Sequence, residues 1–280
     1  MLKKRIITAT FLIGLVLVTI FYGNALMKAA VLLTFCLGAG HEWLKIIGAK
    51  TAQKILFYVV LLLCVMMFYY ANVIYYLRDW VGITLCVSLV GWIFAFIAVV
   101  FYQKGRTLWS SNVWVNTVIG LWLIVPFGAG AFFLLNYFTY KMFLILLLVI
   151  ACADSFAYFT GQLWGRLGGN YHLLASRVSP GKSWEGVWGG MICTALVLFI
   201  LGLFSNLITW QLVALMVFVI IPISIMGDLF ESMVKRIYGV KDSGTLLPGH
   251  GGLLDRLDSL TAAVPVFAWC CIYLTYSGHH

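Results

Sequence analysis

Between Ser232 and Asp258 the chain gathers side chains able to do chemistry: SMVKRIYGVKDSGTLLPGHGGLLDRLD. Asp242, Asp255 and Asp258 lie within this stretch, and Asp228 and Glu231 stand just before it. Lys235, Arg236, Lys241, Arg256 and the titratable His250 are interspersed, and Gly239, Gly244, Pro248, Gly249, Gly251 and Gly252 break the backbone between them. Carboxylates near an apolar run suit a divalent cation, which takes oxygen ligands. Glycine permits close backbone approach. PGHGG ahead of a helix start therefore offers amides to a phosphate or a carboxylate. A sharp re-entrant turn would use the same Pro and Gly, but the Asp-Arg-x-Asp that follows adds weight to a site. On a helix, Asp228, Ser232 and Lys235 share one face, and Asp255 and Asp258 share another. Plainer accounts exist for some of these. Glu231 and Lys235 make an ordinary i, i+4 pair, and Asp255 and Asp258 suit the first turn of a helix. Asp228 ends a long apolar run, so no such account covers it; a divalent metal would.

A second polar segment reads SRVSPGKSWEG, from Ser176 to Gly186. Gly181-Lys182-Ser183 imitates the end of a phosphate-binding P-loop, but Ser176 stands where that motif needs glycine, and Pro180 lies inside it. With no strand expected before it, a P-loop is excluded. Lys182 can still hold a phosphate as a flexible point charge, or be a solvated lysine of the inner face. Glu185 suits the start of the next helix. Asp154 sits inside an apolar run, followed by Ser155 and Tyr158. It points to a polar cavity or to outer support of a metal, or to a helix–helix hydrogen bond.

These residues are carried by membrane-spanning helices. The chain has 280 residues, 63% hydrophobic and 10% charged, against about 25% charged in soluble domains. Apolar runs near the ~20 residues needed to span a bilayer recur along the whole length. They predict an all-α polytopic membrane protein with about nine spans, near 6–22, 26–44, 55–77, 81–102, 113–135, 142–161, 186–204, 207–230 and 257–275. With the N-terminus in the cytoplasm and the C-terminus outside, 15 of the 18 basic residues fall on the inner side, as the positive-inside rule requires. The run after MLKKR is long for a cleaved leader and reads as the first retained helix. The net charge of +9 follows from this inner bias and suits anionic lipid and nucleotide phosphate, so nucleic acid is not needed as a partner. Cys36, Cys64, Cys86, Cys152, Cys193, Cys270 and Cys271 all lie in apolar runs and read as small core residues.

Seven of the nine acidic residues lie between Asp154 and Asp258. Residues 1–140 therefore read as scaffold and 141–280 as the catalytic region. Two polar loops, 162–185 and 231–256, are longer than is usual in compact bundles, and both face the cytoplasm in this topology. One site built from both loops is the expectation. Glu42 and His41, near the end of the second run, read as structural.

The Ser232–Asp258 stretch resembles the motif of the phosphatidate cytidylyltransferase, or CDP-diacylglycerol synthase, family. That motif runs Ser, a spacer, Lys-Arg, four residues, Lys-Asp, a small residue, then Pro-x-His-Gly-Gly and Asp-Arg-x-Asp, and each fixed position is met. The resemblance extends upstream through Asp154-Ser155-x-Ala157-Tyr158 and Ser179-Pro180-x-Lys182-Ser183-x-Glu185-Gly186. Ser183 stands where threonine is common, and Gln162 where a basic residue often follows the glycine. The resemblance implies transfer of the cytidylyl group of CTP to phosphatidic acid at the cytoplasmic face of a bacterial inner membrane, by a homodimer. It implies a paired Mg²⁺ site on Asp228 and Asp255, with Asp258, Glu231 and Asp154 as second-rank ligands. By the same resemblance Lys235, Arg236, Lys241 and Arg256 act on the phosphates in catalysis. Lys182, Ser179, Ser232, His250, Gly251 and Gly252 bind substrate.

Two other classes fit less well. A CTP-dependent polyprenol or phytol kinase would also need charged cytoplasmic loops, but would accept an alcohol. A secondary transporter would show internal repeats and midplane broken helices, whereas these polar residues cluster at one face.

Overall fold

In hydrocarbon, an apolar segment satisfies its backbone by closing hydrogen bonds within a helix. Helix accounts for 80% of this structure, a computed structural model that describes residues 2–71, 78–105, 109–110, 112–170, 172–249 and 251–277. The elements are α1 (Leu2–Tyr22), α2 (Ala25–Ile46), α3 (Thr51–Ala71), α4 (Arg78–Gln103), α5 (Val113–Asn136), α6 (Tyr140–Arg166), β1 (Leu173–Ala175), β2 (Ser179–Ser183), α7 (Trp184–Phe204), α8 (Trp210–Leu215), a π-helical turn (Met216–Ile220), α9 (Ile221–Ile237) and α10 (Leu254–Ser277). Among the described residues six helical segments are long and apolar enough to cross a membrane: Ala25–Ile46, Val81–Gln103, Val113–Asn136, Tyr140–Arg166, Trp184–Phe204 and Trp210–Ile237. Ile6–Tyr22 and Thr51–Met67 are shorter apolar helices.

Two boundaries differ from the sequence expectation. The loop expected from residue 231 begins after Ile237, because Met233 and Val234 are buried and keep α9 wound about two turns further. Glu231, Ser232, Lys235 and Arg236 therefore stand on a helix. Gly239, at φ +69°, then stops it: the amides of Gly239 and Val240 close back on the carbonyls of Arg236 and Lys235, the usual helix ending. The segment 162–185 is also more ordered than a loop. α6 continues to Arg166, and β1 and β2 pair as an antiparallel hairpin. A short strand does precede Gly181-Lys182, contrary to the expectation. It belongs to a hairpin with no parallel strand, so a P-loop remains excluded. Buried Ala175 and Val178 fix the hairpin on the bundle.

The core is built around α5, most of whose residues between Asn116 and Leu135 are buried, and which packs on α2, α3, α4 and α10. α6 and α7 lie together along their length, and α9 lies against α10. The last contact is close because of Gly227: a Cβ there would sit 2.5 Å from the carbonyl oxygen of Asp258 and 2.9 Å from the Cβ of Ala262. The glycine brings the helices bearing Asp228 and Asp258 together. Gly227→Val should lower stability by about 1–3 kcal/mol through overpacking. Gly14→Val, in open space on α1, should leave it unchanged. Thermal melts of both variants in detergent check this; equal melting would refute it.

Candidate active site

One cavity of about 350 Å³ collects six of the predicted residues, Asp154, Lys182, Asp228, Asp255, Arg256 and Asp258. α6 contributes Asp154 and Tyr158, β2 contributes Gly181 to Ser183, and α7 contributes Gly186 and Gly190. α9 adds Ile221, Ile225 and Asp228; α10 adds Asp255, Arg256 and Asp258. The wall is thus drawn from both polar segments and from four helices.

Helical spacing does the local positioning. Ser232, one turn after Asp228, donates its hydroxyl to Asp228 Oδ1 at 3.1 Å. Lys182 reaches across from β2 to pair with Asp228 Oδ2. Ser183 ends the strand and caps α7, accepting the amide of Gly186 at 3.1 Å. Gln162 donates to the Tyr158 hydroxyl at 2.7 Å, fixing a cavity-wall side chain.

A second charge cluster lies beside the cavity. Lys235 Nζ is 2.7 Å from Asp255 Oδ1 and 3.1 Å from Glu231 Oε1. Glu231 is 2% exposed and Lys235 7%. Asp255 is held by more than the lysine. The Ser243 amide reaches both its oxygens, at 3.1 and 3.0 Å, and the Gly252 amide donates to Oδ2 at 3.0 Å. The Gly-rich loop therefore turns its amides on a carboxylate of its own chain. Gly251, at φ +83°, makes that turn, accepting the Leu247 amide at 3.0 Å.

Other predicted residues sit apart. Glu231 lies beneath the cavity, on Lys235. Arg236 turns away and donates its Nε to the carbonyl of Val178 at 3.3 Å, tying α9 to the hairpin. Lys241 is exposed on the loop, outside the cavity wall, as is Ser179. His250 lies outside the described residues. Glu185 meets His172 Nδ1 at 2.7 Å.

One residue set aside as structural reaches the site. Glu42, on α2, is 1% exposed. Its Oε2 accepts the Ser243 hydroxyl at 2.9 Å and the Leu254 amide at 2.8 Å. Nothing in the spacing of Glu42 could have announced partners 201 and 212 residues away. The one available signal was an acidic residue in an apolar run, which is costly there.

The comparisons now bear on this geometry. Residues 3–274 match the model of the cytidylyltransferase family. The chain belongs to the cytidylyltransferase family. A protein of Haemophilus influenzae named phosphatidate cytidylyltransferase is 36% identical over 96% of this chain and 98% of its own. One of the same name from Pseudomonas aeruginosa is also 36% identical, over 96% of each chain. A third, from Thermotoga maritima, is 45% identical over 40% of this chain and 42% of its own. A cavity with four acidic side chains and two basic ones in its wall suits a phosphate carried with a cation. Asp154, Asp228, Asp255 and Asp258 are hard oxygen donors of the kind Mg²⁺ takes. Among the described residues no three acidic, His or Cys side chains are drawn together on one ion position. That still fits Mg²⁺, which is usually held by one or two carboxylates together with substrate phosphates.

The two lysines differ in what depends on them. Lys235→Met would strand two carboxylates and cost about 3–5 kcal/mol. Lys182 is a partly exposed side chain on one partner, and Lys182→Met should leave the melting temperature near that of the unaltered protein. Melting both variants in the same detergent tests the contrast; a Lys182→Met protein that melts as early as Lys235→Met would overturn it.

Proposed function

We propose that this chain transfers the cytidylyl group of CTP to phosphatidic acid, giving CDP-diacylglycerol and pyrophosphate in phospholipid synthesis. The observation that carries the reading is the convergence of Lys182, Asp228, Asp255, Arg256 and Asp258 on one cavity, in a chain whose full-length relatives bear the name phosphatidate cytidylyltransferase. The chain is an integral membrane enzyme. In our reading it crosses the bacterial cytoplasmic membrane nine times, with its N-terminus and its active site facing the cytoplasm and its C-terminus outside, and works as a homodimer. The inner bias of basic residues supports the orientation.

In the reaction an oxygen of the lipid phosphate attacks the α-phosphorus of CTP. The new P–O bond forms as the bond to the β-phosphate oxygen breaks, and pyrophosphate leaves. Two anions must approach, so the site must neutralise charge before it can align them. Asp228 and Asp255 would hold Mg²⁺, with Asp154 and Asp258 behind them. Held by these carboxylates, Mg²⁺ would supply positive charge to offset that of the phosphates. Lys182 and Arg256 line the same cavity and bind phosphate oxygens. Lys182 is suited to this because its flexible stem lets the ammonium exchange Asp228 for a phosphate. Lys235 keeps Asp255 ionised and oriented, and Ser232 orients Asp228. Ser179, His250, Gly251 and Gly252 shape or contact the phosphate subsite, and Arg236 and Lys241 supply positive charge at its margin. Water admits CTP from the cytoplasm. Ile221 and Ile225 give the cavity an apolar side suited to the lipid's glycerol and acyl portion.

The test is transfer of label from CTP carrying it on the α-phosphate into the lipid phase, with phosphatidic acid and Mg²⁺ in detergent. Label should enter the lipid and be lost with a chelator. Asp228→Asn and Asp255→Asn should each lower kcat by roughly 100-fold or more, the scale for losing a preorganised charged group. No label from folded protein would sink the reading. Transfer of the γ-phosphate to a polyprenol or diacylglycerol in its place would point to a kinase.

A further inference from the structure

We infer that Glu42 is a positioning residue for the transfer reaction, holding the Gly-rich loop and the start of α10 so that Asp255 faces the cavity. The inference rests on the reading of Asp255 as a site residue given above. Glu42 lies on α2, in the half of the chain that otherwise reads as scaffold. It is almost fully buried, at 1% exposure. An acidic side chain in that setting must be matched by donors, and the donors are all from the loop and helix that carry Asp255.

The geometry is a short relay. Glu42 Oε2 accepts the Ser243 hydroxyl at 2.9 Å. The same Ser243 oxygen accepts the Asp255 amide at 3.3 Å, and the Ser243 amide donates to the Asp255 carboxylate. Ser243 thus holds Asp255 by both its main-chain and side-chain groups while Glu42 holds Ser243. Glu42 Oε2 also accepts the amide of Leu254 at 2.8 Å. Leu254 is the first residue of α10, where amides lack partners within the helix and a negative charge is favoured. Asp255 is the next residue. Glu42 therefore sets both the direction in which α10 starts and the loop that grips Asp255.

Two glycines show how tightly the contact is made. A Cβ at Gly244 would fall on Glu42 Oε1, and a Cβ at Gly252 would fall on Ser243 Oγ and lie 2.7 Å from Glu42 Oε2. No larger residue fits either position while the carboxylate is in place. Gly252 also gives Asp255 an amide hydrogen bond, so the space around Glu42 and the grip on Asp255 are the same piece of backbone.

The test uses the full-length protein in detergent, with Glu42→Leu, Glu42→Gln, Ser243→Ala, the double variant Glu42→Leu/Ser243→Ala, and Asp255→Asn. Four quantities are read: melting temperature, kcat, KM for phosphatidic acid and the Mg²⁺ concentration at half-saturation. Ser243→Ala and Glu42→Leu should each lower kcat by about 10- to 100-fold, the scale of a lost hydrogen bond to a charged group. KM for phosphatidic acid should stay near its original value, and half-saturation by Mg²⁺ should move to higher concentration. The double variant should be no worse than the poorer single variant, because both break one relay. Glu42→Gln should recover most of kcat, since its carbonyl oxygen accepts the same two bonds. Near-normal kcat and Mg²⁺ dependence in Ser243→Ala and Glu42→Leu would overturn the inference, and so would losses that multiply in the double variant. If Glu42→Leu does not fold, Ser243→Ala and Glu42→Gln decide on the same readings. Asp255→Asn separates the two levels. Full activity in that variant removes the site reading itself; inactivity there beside normal Glu42 and Ser243 variants removes only the role of Glu42.

Discussion

The structure depends on matching carboxylates that have little access to water. Lys235 stands between Glu231 and Asp255 and is the cation that answers both. Several local choices follow from that one lysine. α9 must continue beyond the apolar run, because Glu231 and Lys235 need helical spacing to meet. The start of α10 must come back to α9, because Asp255 supplies the second acid. The loop between must fold over, because Asp255 still has lone pairs that the lysine does not fill. The amides of Ser243 and Gly252 fill them, and they can do so only in a backbone bent by glycine.

This separates the acids into two kinds. Glu231 and Glu42 are engaged inside the protein, and Asp255 stands between the two kinds, gripped by a lysine and main-chain amides while also lining the cavity. Asp154, Asp228 and Asp258 open onto the cavity, where Lys182 is the cation that meets Asp228. The first kind makes the backbone rigid where it must be placed accurately. The second leaves negative charge that a mobile lysine, an incoming cation or both can answer. Such a division suits a reaction between anions. The fixed acids do not have to move, and the exchangeable ones sit where phosphate oxygens arrive.

Much of this was legible in the residues. The pairing of Asp228 with Ser232 follows from i, i+4 spacing, as does that of Glu231 with Lys235. The start of α7 near Glu185 follows from an acidic residue placed before an apolar run. What the sequence could not convey was which distant partners meet. Lys182 and Asp228 are joined across the hairpin and α9, and Lys235 and Asp255 across two helices, and no periodicity encodes either pair. The hairpin was missed because SPGKS carries turn residues rather than alternating apolar ones, and its strands are held by only a few buried side chains such as Val178. The end of α9 was placed too early for a related reason. Charged residues suggest a loop, whereas Glu231 and Lys235 are buried on the helix together with Met233 and Val234.

The rod from Trp210 to Ile237 shows how backbone geometry aims the site. A single α-helix of that length would meet Pro222, whose ring removes an amide and crowds the carbonyl four residues back. The chain answers with the π turn over Met216–Ile220, in which the Ile221 amide reaches back to Met216. A π turn holds one extra residue. At 3.6 residues per turn, that rotates everything downstream by about 100° relative to the upstream helix. Ile221, Ile225 and Asp228 follow immediately and form one wall of the cavity. The phase of α9 is therefore reset just before its functional face begins. Upstream, α8 buries none of its residues. Downstream, the same rod presents Asp228 to Lys182 and lays Gly227 against α10, so that both carboxylate-bearing helices meet at the depth where the loop and Glu42 hold Asp255.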